Sequence, residues 1–218
     1  MSGHDAGATG QTEPSGPPRR RGRRPRGAVR SALIEAGVEL ARAGGPDAVV
    51  LREVTRKVGV VPNAAYRHFA DRDALLAAVR DAALTQLARR MADGMNRVRP
   101  RADTPAGAGL RLRAVGTAYL EFARTEPGLF DTAYASIEHP TSGANGEPWP
   151  FDHLRAALDN LVDAGLLDAA RRPDIEYPTW ATVHGLATLL RGPLRSLPDR
   201  EKKRLEDQAL AFIGAALS

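Results

Sequence analysis

The chain has 218 residues, of which 43% are hydrophobic and only 5% aromatic, and it is rich in Ala, Leu, Arg and Glu. This bias predicts a helical protein with enough apolar material for one large domain or two small ones. The lack of cysteine excludes disulfides, thiolate metal sites and cysteine nucleophiles, and no apolar run is long enough to span a membrane.

The excess positive charge lies in an amino-terminal arm. The formal net charge is +5, and residues 1–30 alone hold seven arginines against two acidic residues, a surplus of five. Residues 1–26 are too polar and too rich in Pro and Gly to fold alone, and they lack a secretory signal core, which predicts a cytoplasmic protein. The arm is either a solvated tail or a tether to DNA phosphates, with Arg19, Arg20, Arg21, Arg23, Arg24 and Arg26 as the tethering residues.

Four helices are predicted in the first hundred residues. The first runs from about Ala28 to the stop signal AGGPD at residues 43–47, and a second covers residues 51–58. Gly59 breaks the second helix, and Pro62 suits the first position of a third that ends near residue 68 or 69. Asp71 is a natural N-cap for a long fourth helix that Pro100 closes.

The rest of the chain also shows helical periodicity and no strand alternation. Residues 101–109 form the best candidate boundary because they are rich in Pro and Gly. Beyond them, helices are predicted at about residues 108–125, 127–137, 150–166, 174–191 and 199–217. The predicted fold is therefore all-α, with about nine helices.

The stretch VGVVPNAAYRHF, residues 58–69, predicts the second half of a helix-turn-helix. Wound at 3.6 residues per turn, it directs Ala65 and Phe69 towards the core and places Tyr66 at the margin. The outward side chains are those of Asn63, Ala64, Arg67 and His68.

This outer face has the chemistry that DNA recognition requires. Asn can bind adenine, Arg can bind guanine and an Ala methyl can meet a thymine methyl, whereas Tyr and His suit phosphates. Arg52 and Arg72 flank the same surface. Helix-turn-helix pairs also occur in proteins that never touch DNA, so a solvated helix face is the alternative.

Residues 28–80 resemble the amino-terminal domain of the TetR family of bacterial transcriptional regulators. The resemblance rests on Gly59-Val60, on Tyr66-x-His68-Phe69 and on Asp71-Arg72-x-x-Leu75. It implies phosphate contacts by Tyr66 and His68, base contacts by Arg52 and the helix start at Pro62, Asn63 and Ala64, and an Arg72 in place of the usual lysine. Val61, Asn63 and Ala64 depart from the family pattern, which affects the preferred operator rather than the fold.

Residues 126–134 and 178–192 resemble the subgroup that is named for a Trp-His-Gly element, here Trp180, His184 and Gly185. The resemblance implies a ligand pocket, for which the candidate residues are Phe122, Phe130, Tyr134, Trp180 and His184. His184 is more simply explained as a core histidine hydrogen-bonded to a carbonyl or carboxylate, and Gly185 as a site of close helix approach. Scattered histidines predict no metal site, and no cofactor is expected.

The family resemblance implies a DNA-binding domain at residues 27–75 and a ligand-binding and dimerisation domain at residues 76–218. We expect a homodimeric repressor that binds a double-stranded, inverted-repeat operator and leaves it when an unidentified small-molecule effector binds. The alternatives are an activator, a ligand-independent DNA-binding protein and an architectural protein that coats DNA through the arm. An all-α enzyme is a remote alternative, because the sequence has no nucleophile–base pair, metal set, paired catalytic carboxylates or phosphate loop.

Overall fold

The computed structural model describes residues 26–135 and 147–217, and within these ranges it contains nine α-helices and no strand. The all-α prediction and the number of helices are confirmed. The helices are α1 (Arg26–Gly44), α2 (Leu51–Val58), α3 (Pro62–Tyr66), α4 (Arg72–Asn96), α5 (Pro105–Thr125), α6 (Pro127–Ala133), α7 (Pro150–Asp163), α8 (Glu176–Arg191) and α9 (Asp199–Leu217).

The long helix α1 packs against α4 and α2, and α2 packs against α3. Leu33 of α1 and Leu75 and Val79 of α4 are fully buried in one apolar core. A Cβ at Gly37 would lie 2.5 Å from Val79 Cγ2, so glycine allows α1 and α4 to approach closely. The carboxylate of Asp71 accepts a hydrogen bond from the Ala74 N–H at 2.7 Å, which confirms its predicted role as the N-cap of α4.

Helix α5 is the central element of the carboxyl-terminal part. It packs against α4, α6, α7, α8 and α9, and Tyr119 and Phe122 are among its fully buried side chains. A Cβ at Gly116 would lie 2.4 Å from Leu210 Cδ2, so α9 packs tightly against α5 there. Each of the surrounding helices therefore places one side against a shared apolar core.

Helix α4 joins the two parts of the molecule. It runs without a break through the predicted domain boundary at residues 75 and 76, and the proline- and glycine-rich segment after it leads into α5. Helix α6 also spans both parts, since it packs against α1 and α4 on one side and α5 on the other. The domain limits at residues 75 and 76 stay a prediction.

Several helix ends differ from the predicted ones. Helix α4 ends at Asn96 before Pro100, and α6 ends at Ala133 rather than at 137. Helix α7 ends at Asp163 rather than at 166, because Gly165 takes a left-handed conformation with φ of 68°. The predicted arm lies outside the described residues, except that Arg26 begins α1, and residues 136–146 lie outside them as well.

Candidate functional site

Helices α2 and α3 form the predicted helix-turn-helix. Gly59 ends α2 in a left-handed conformation with φ of 74°, and its N–H donates to the Thr55 carbonyl at 2.9 Å. Val61 is extended, and Pro62 begins α3, where the missing proline N–H has no cost. The bounds of α2 and the start of α3 are those that the sequence predicts, whereas α3 ends at Tyr66 rather than near residue 68 or 69.

The inner side of α3 is apolar, as predicted. Ala65 and Phe69 are buried together with Val54 of α2. The Arg30 guanidinium of α1 lies 5.2 Å from the centre of the Phe69 ring, which adds a cation–π contact. Five residues cannot hold a helix by themselves, so this packing fixes the position of α3.

The outer side of α3 and of the two residues that follow it is mostly accessible. Pro62, Asn63 and Arg67 are exposed, and Tyr66 is 54% exposed. Ala64 and His68 are half-buried at its edges. Polar side chains that can donate to bases or phosphates therefore stand on the accessible face, as the periodicity predicts.

The cations of α2 and α3 differ in whether they have acidic partners. Arg56 lies 2.6 Å from Glu53, and Lys57 lies 2.7 Å from Glu39 of α1. Arg52 and Arg67, both exposed, form no ion pair or side-chain hydrogen bond with any of the described residues. Two unpaired guanidinium groups on this surface are available to an anionic polymer.

Arg72 has an internal role that sequence reasoning missed. Its guanidinium donates to the Val49 carbonyl at 2.9 Å and to the Pro46 carbonyl at 2.7 Å, and it lies near Asp47 and Asp73. The side chain thereby holds the loop before α2 against the start of α4. These partners lie more than twenty residues earlier in the chain, so no local pattern indicates them. A phosphate contact by Arg72 stays a prediction.

A cavity of about 550 Å³ lies within the carboxyl-terminal helices. Its walls come from α4, α5, α7, α8 and α9 and from the end of α6, and they are mainly apolar. Size and lining are those of a site for a small organic ligand. The aliphatic side chains in the wall include those of Leu84, Met91, Leu112, Val115, Leu161 and Ile213.

The structure brings only two of the five candidate pocket residues to the cavity wall. Tyr134 and Trp180 line it, whereas Phe122, Phe130 and His184 do not. Phe122 is buried beneath the Arg90 guanidinium, which lies 5.1 Å from the ring centre. Phe130 is also buried and stacks on His184 with a centroid distance of 5.8 Å, behind the wall.

His184 belongs to an aromatic cluster rather than to the cavity. Its Nδ1 lies 2.7 Å from the hydroxyl of Tyr119, a phenol that the sequence did not indicate as a partner. The Trp180 ring lies 5.1 Å away on the same side of α8. Burial raises the pKa of Tyr119 well above its usual value and that of Tyr134 to about 12, so both phenols keep their protons at alkaline pH values at which an exposed tyrosine ionises.

Other wall residues were not singled out by the sequence. Trp149, Phe151 and Arg155 surround one part of the cavity, and Arg113 stands on its α5 side. The helical spacing of Leu112, Val115 and Tyr119 indicates a buried side of α5. No short-range sequence pattern distinguishes side chains that line a cavity from side chains that fill a core.

Helix α6 contacts α1 at its start and the cavity at its end. At its start, a Cβ on Gly128 would lie 2.1 Å from the Ala41 carbonyl oxygen of α1, and Glu126 binds Arg42 at 2.7 Å and Arg90 at 3.0 Å. At its end, Ala133 and Tyr134 line the cavity. Two turns of helix thus connect the cavity wall to α1, the helix against which α2 packs.

Two structural features are absent from the described ranges. Nowhere in them do three or more His, Cys, Asp or Glu side chains gather so that they could hold a metal ion. Similarly, none of the described helices is both long and apolar enough to cross a bilayer.

Comparison with known proteins agrees with this architecture. Residues 33–79 match the model of bacterial regulatory proteins of the tetR family, and residues 112–212 match that of the tetracyclin repressor-like C-terminal domain. No curated protein matches the chain.

Solved structures share the fold at low sequence identity. A protein of unknown function from Rhodococcus sp. RHA1 is 24% identical, with a TM-score of 0.65 over 92% of this chain and 98% of that one. A TetR-family transcriptional regulator from Pectobacterium atrosepticum is 19% identical, with a TM-score of 0.61 over 88% of this chain and 93% of that one. The SmeT–triclosan complex is 20% identical, with a TM-score of 0.57 over 87% of this chain and 91% of that one.

Proposed function

This chain belongs to the TetR family and is a DNA-binding transcriptional regulator, and from that premise we propose a ligand-controlled, homodimeric repressor. The observation that carries the proposal is the pairing of an exposed α3 surface with a separate apolar cavity. Helix α6 joins the cavity wall to α1, and α1 packs against α2, so these contacts would give a ligand a physical route to the DNA-binding surface.

The α3 surface would enter the major groove. Asn63 and Arg67 stand where they can reach base edges, and Tyr66 and His68 at the sides would hold phosphates. Arg52 and Arg67 meet phosphate or guanine without first giving up an acidic partner. The arginines of residues 19–26 would add affinity that does not depend on sequence.

A second copy of the chain would cover the outer faces of α8 and α9. Leu189 is 47% exposed and Phe212 is 66% exposed, and Gly185 has open space where a Cβ would stand. Among the described residues, no other helix makes the close approach expected at Gly185, and a partner subunit would fit there. Two α3 helices would read two half-sites about 34–36 Å apart, or a multiple of that spacing.

The ligand would act through α6. A molecule in the cavity that displaces Tyr134 would move α6, and the contacts of Gly128 and Glu126 would pass that movement to α1. Release of DNA requires that the ligand bind the conformation with wrongly spaced α3 helices more tightly than the DNA-bound one. Triclosan is a reasonable first probe, because the SmeT structure was determined with it.

Selection of bound DNA from a random pool tests the proposal. We expect recovered sites with two inverted half-sites at the stated spacing, and a retained fragment that is released when a cavity ligand is added. Single half-sites would contradict the dimer, and retention unaffected by every ligand that binds the cavity would contradict ligand control. A reporter gene downstream of the selected site then decides between repression and activation.

The arm provides the test against an architectural DNA-coating protein. Deletion of residues 1–26 should lower affinity and weaken its salt dependence while the preference for the selected site persists. Loss of that preference together with affinity would instead support a coating function.

A further inference from the structure

The cations in the cavity wall are already neutralised. Arg113 lies 2.6 Å from Asp207 of α9, and Arg155 lies 3.1 Å from Glu176, a buried carboxylate of α8. The Arg155 guanidinium also lies 4.8 Å from the centre of the Phe151 ring. An ionised ligand would have to compete with these partners inside a mainly apolar space, which disfavours charged ligands.

Most neutral polar side chains in the wall are also engaged. The hydroxyl of Tyr119 pairs with His184 at 2.7 Å, and Thr179 Oγ1 donates to the Ile175 carbonyl at 2.7 Å. Tyr134 and Trp180 hydrogen-bond within the same aromatic cluster. Tyr177 is half exposed, so water can hydrogen-bond to its hydroxyl.

Trp149 differs from these residues. It precedes α7 and lines the cavity, and its side chain is only 9% exposed. Its backbone N–H donates to Asp152 at 2.8 Å, but its indole Nε1 is buried and has no hydrogen-bond partner in the part of the chain that the structure describes. A buried donor without an acceptor is unfavourable, and the great majority of such groups are satisfied.

We propose that the cavity takes an uncharged, apolar ligand with a carbonyl or ether oxygen, and that this oxygen accepts a hydrogen bond from the Trp149 indole once ligand binding uncovers the Nε1 atom. The inference rests on the ligand-controlled function proposed above and specifies the chemical class of its effector. A pure hydrocarbon would leave the indole N–H unsatisfied, and a carboxylate would meet cations that already have acidic partners. A neutral acceptor avoids both costs.

Fluorenone and fluorene test this class directly, because they share one ring skeleton and differ in a carbonyl against a methylene. In equilibrium dialysis of the full chain without DNA, we expect fluorenone to bind about three- to tenfold more tightly than fluorene. Fluorene carboxylate, with a similar skeleton and a negative charge, should bind more weakly than either.

Substitution of each of the two tryptophans of the chain tests whether the Trp149 N–H causes the preference for fluorenone over fluorene. Trp149→Phe removes the N–H and should abolish the preference for fluorenone, while fluorene binding changes little. Trp180→Phe is the matched control, since Trp180 also lines the cavity but its side chain has partners, and the preference should persist. Trp180→Phe also leaves one indole N–H signal in nitrogen–proton NMR spectra, and fluorenone but not fluorene should move that proton downfield.

Four results would overturn the proposal: no binding of fluorenone, equal binding of the two neutral probes, tighter binding of the carboxylate, or a preference that survives Trp149→Phe. If Trp149→Phe does not fold, the proposal is still tested by the binding of fluorenone and fluorene to the unaltered chain and by the indole N–H signal of Trp180→Phe. Because dialysis needs no DNA, an absence of DNA release would contradict the repressor function and leave the ligand class standing.

Discussion

The recognition surface and the cavity differ in how their arginines are paired. On α2 and α3, Arg52 and Arg67 stand exposed without acidic partners among the described residues. In the cavity wall, Arg113 and Arg155 each face a carboxylate. Unpaired cations suit a site that binds a polyanion, whereas paired cations leave little free positive charge in an apolar site. The same residue type therefore serves recognition in one place and packing in the other.

The largest expected effect is on DNA binding, and it concerns an arginine of the recognition surface that has no acidic partner among the described residues. Arg67→Ala should weaken binding to the selected DNA by about 10- to 100-fold, because a bidentate base contact contributes roughly 1–3 kcal/mol. Fluorescence anisotropy with labelled DNA at a fixed salt concentration measures the change. Arg56→Ala is the control, since Arg56 is also exposed but pairs with Glu53, and it should cost less than about threefold. Equal losses in both variants would show that pairing does not distinguish them.

The next effect concerns the junction between the two regions. Gly128→Ala places a Cβ 2.1 Å from the Ala41 carbonyl oxygen and 2.8 Å from that of Arg42. Because both are backbone atoms, α6 must shift, and we expect the free energy of unfolding to fall by about 1–3 kcal/mol in urea titrations. Gly27→Ala, with no atom within 4 Å of the new Cβ, should leave stability within about 1 kcal/mol. An unchanged Gly128→Ala variant would contradict the packing of α6 on α1.

A smaller effect on the cavity side appears only at alkaline pH. Burial raises the pKa of Tyr134 from 10.0 to about 12, so between these values the folded chain keeps a proton that the unfolded chain loses. The associated stability is fully present below pH 10 and falls as the pH rises towards 12. Urea titrations between pH 9 and pH 11 should therefore show a steeper loss for the unaltered chain than for Tyr134→Phe. Parallel pH profiles would contradict the burial of this phenol.

The smallest expected effect concerns the cap between α3 and α4. Asp71→Ala removes the acceptor of the Ala74 N–H and should lower the free energy of unfolding by about 1 kcal/mol. Asp71→Asn retains a capping oxygen and should restore most of that loss. If both variants lose equally, the carboxylate acts through its charge rather than through the cap.

Local signals predict the recognition region well. Gly59, Pro62 and Asp71 each terminate or begin a helix for reasons that concern only a few neighbouring residues, so the bounds of α2 and the starts of α3 and α4 follow from the sequence. The burial of Ala65 and Phe69 follows from the helical period in the same way.

The cavity depends on contacts between distant parts of the chain. Tyr119 and His184 are 65 positions apart, and Arg113 meets Asp207 across 94. Helical periodicity does not indicate which buried aromatic residue faces the cavity. The sequence therefore predicts Tyr134, Trp180, Phe122 and Phe130 alike as pocket residues. For the same reason, the sequence could not assign Trp149 its unsatisfied N–H.

The anchoring of Arg72 limits how this protein can be re-engineered. A lysine in its place has a single ammonium group in place of the planar fork and would not reproduce both bonds to the Pro46 and Val49 carbonyls. The position of the loop before α2 relative to the start of α4 therefore depends on this one side chain. A transplant that aims to move the DNA specificity of this chain to another scaffold must carry residues 46–49 and Arg72 along with the reading helix.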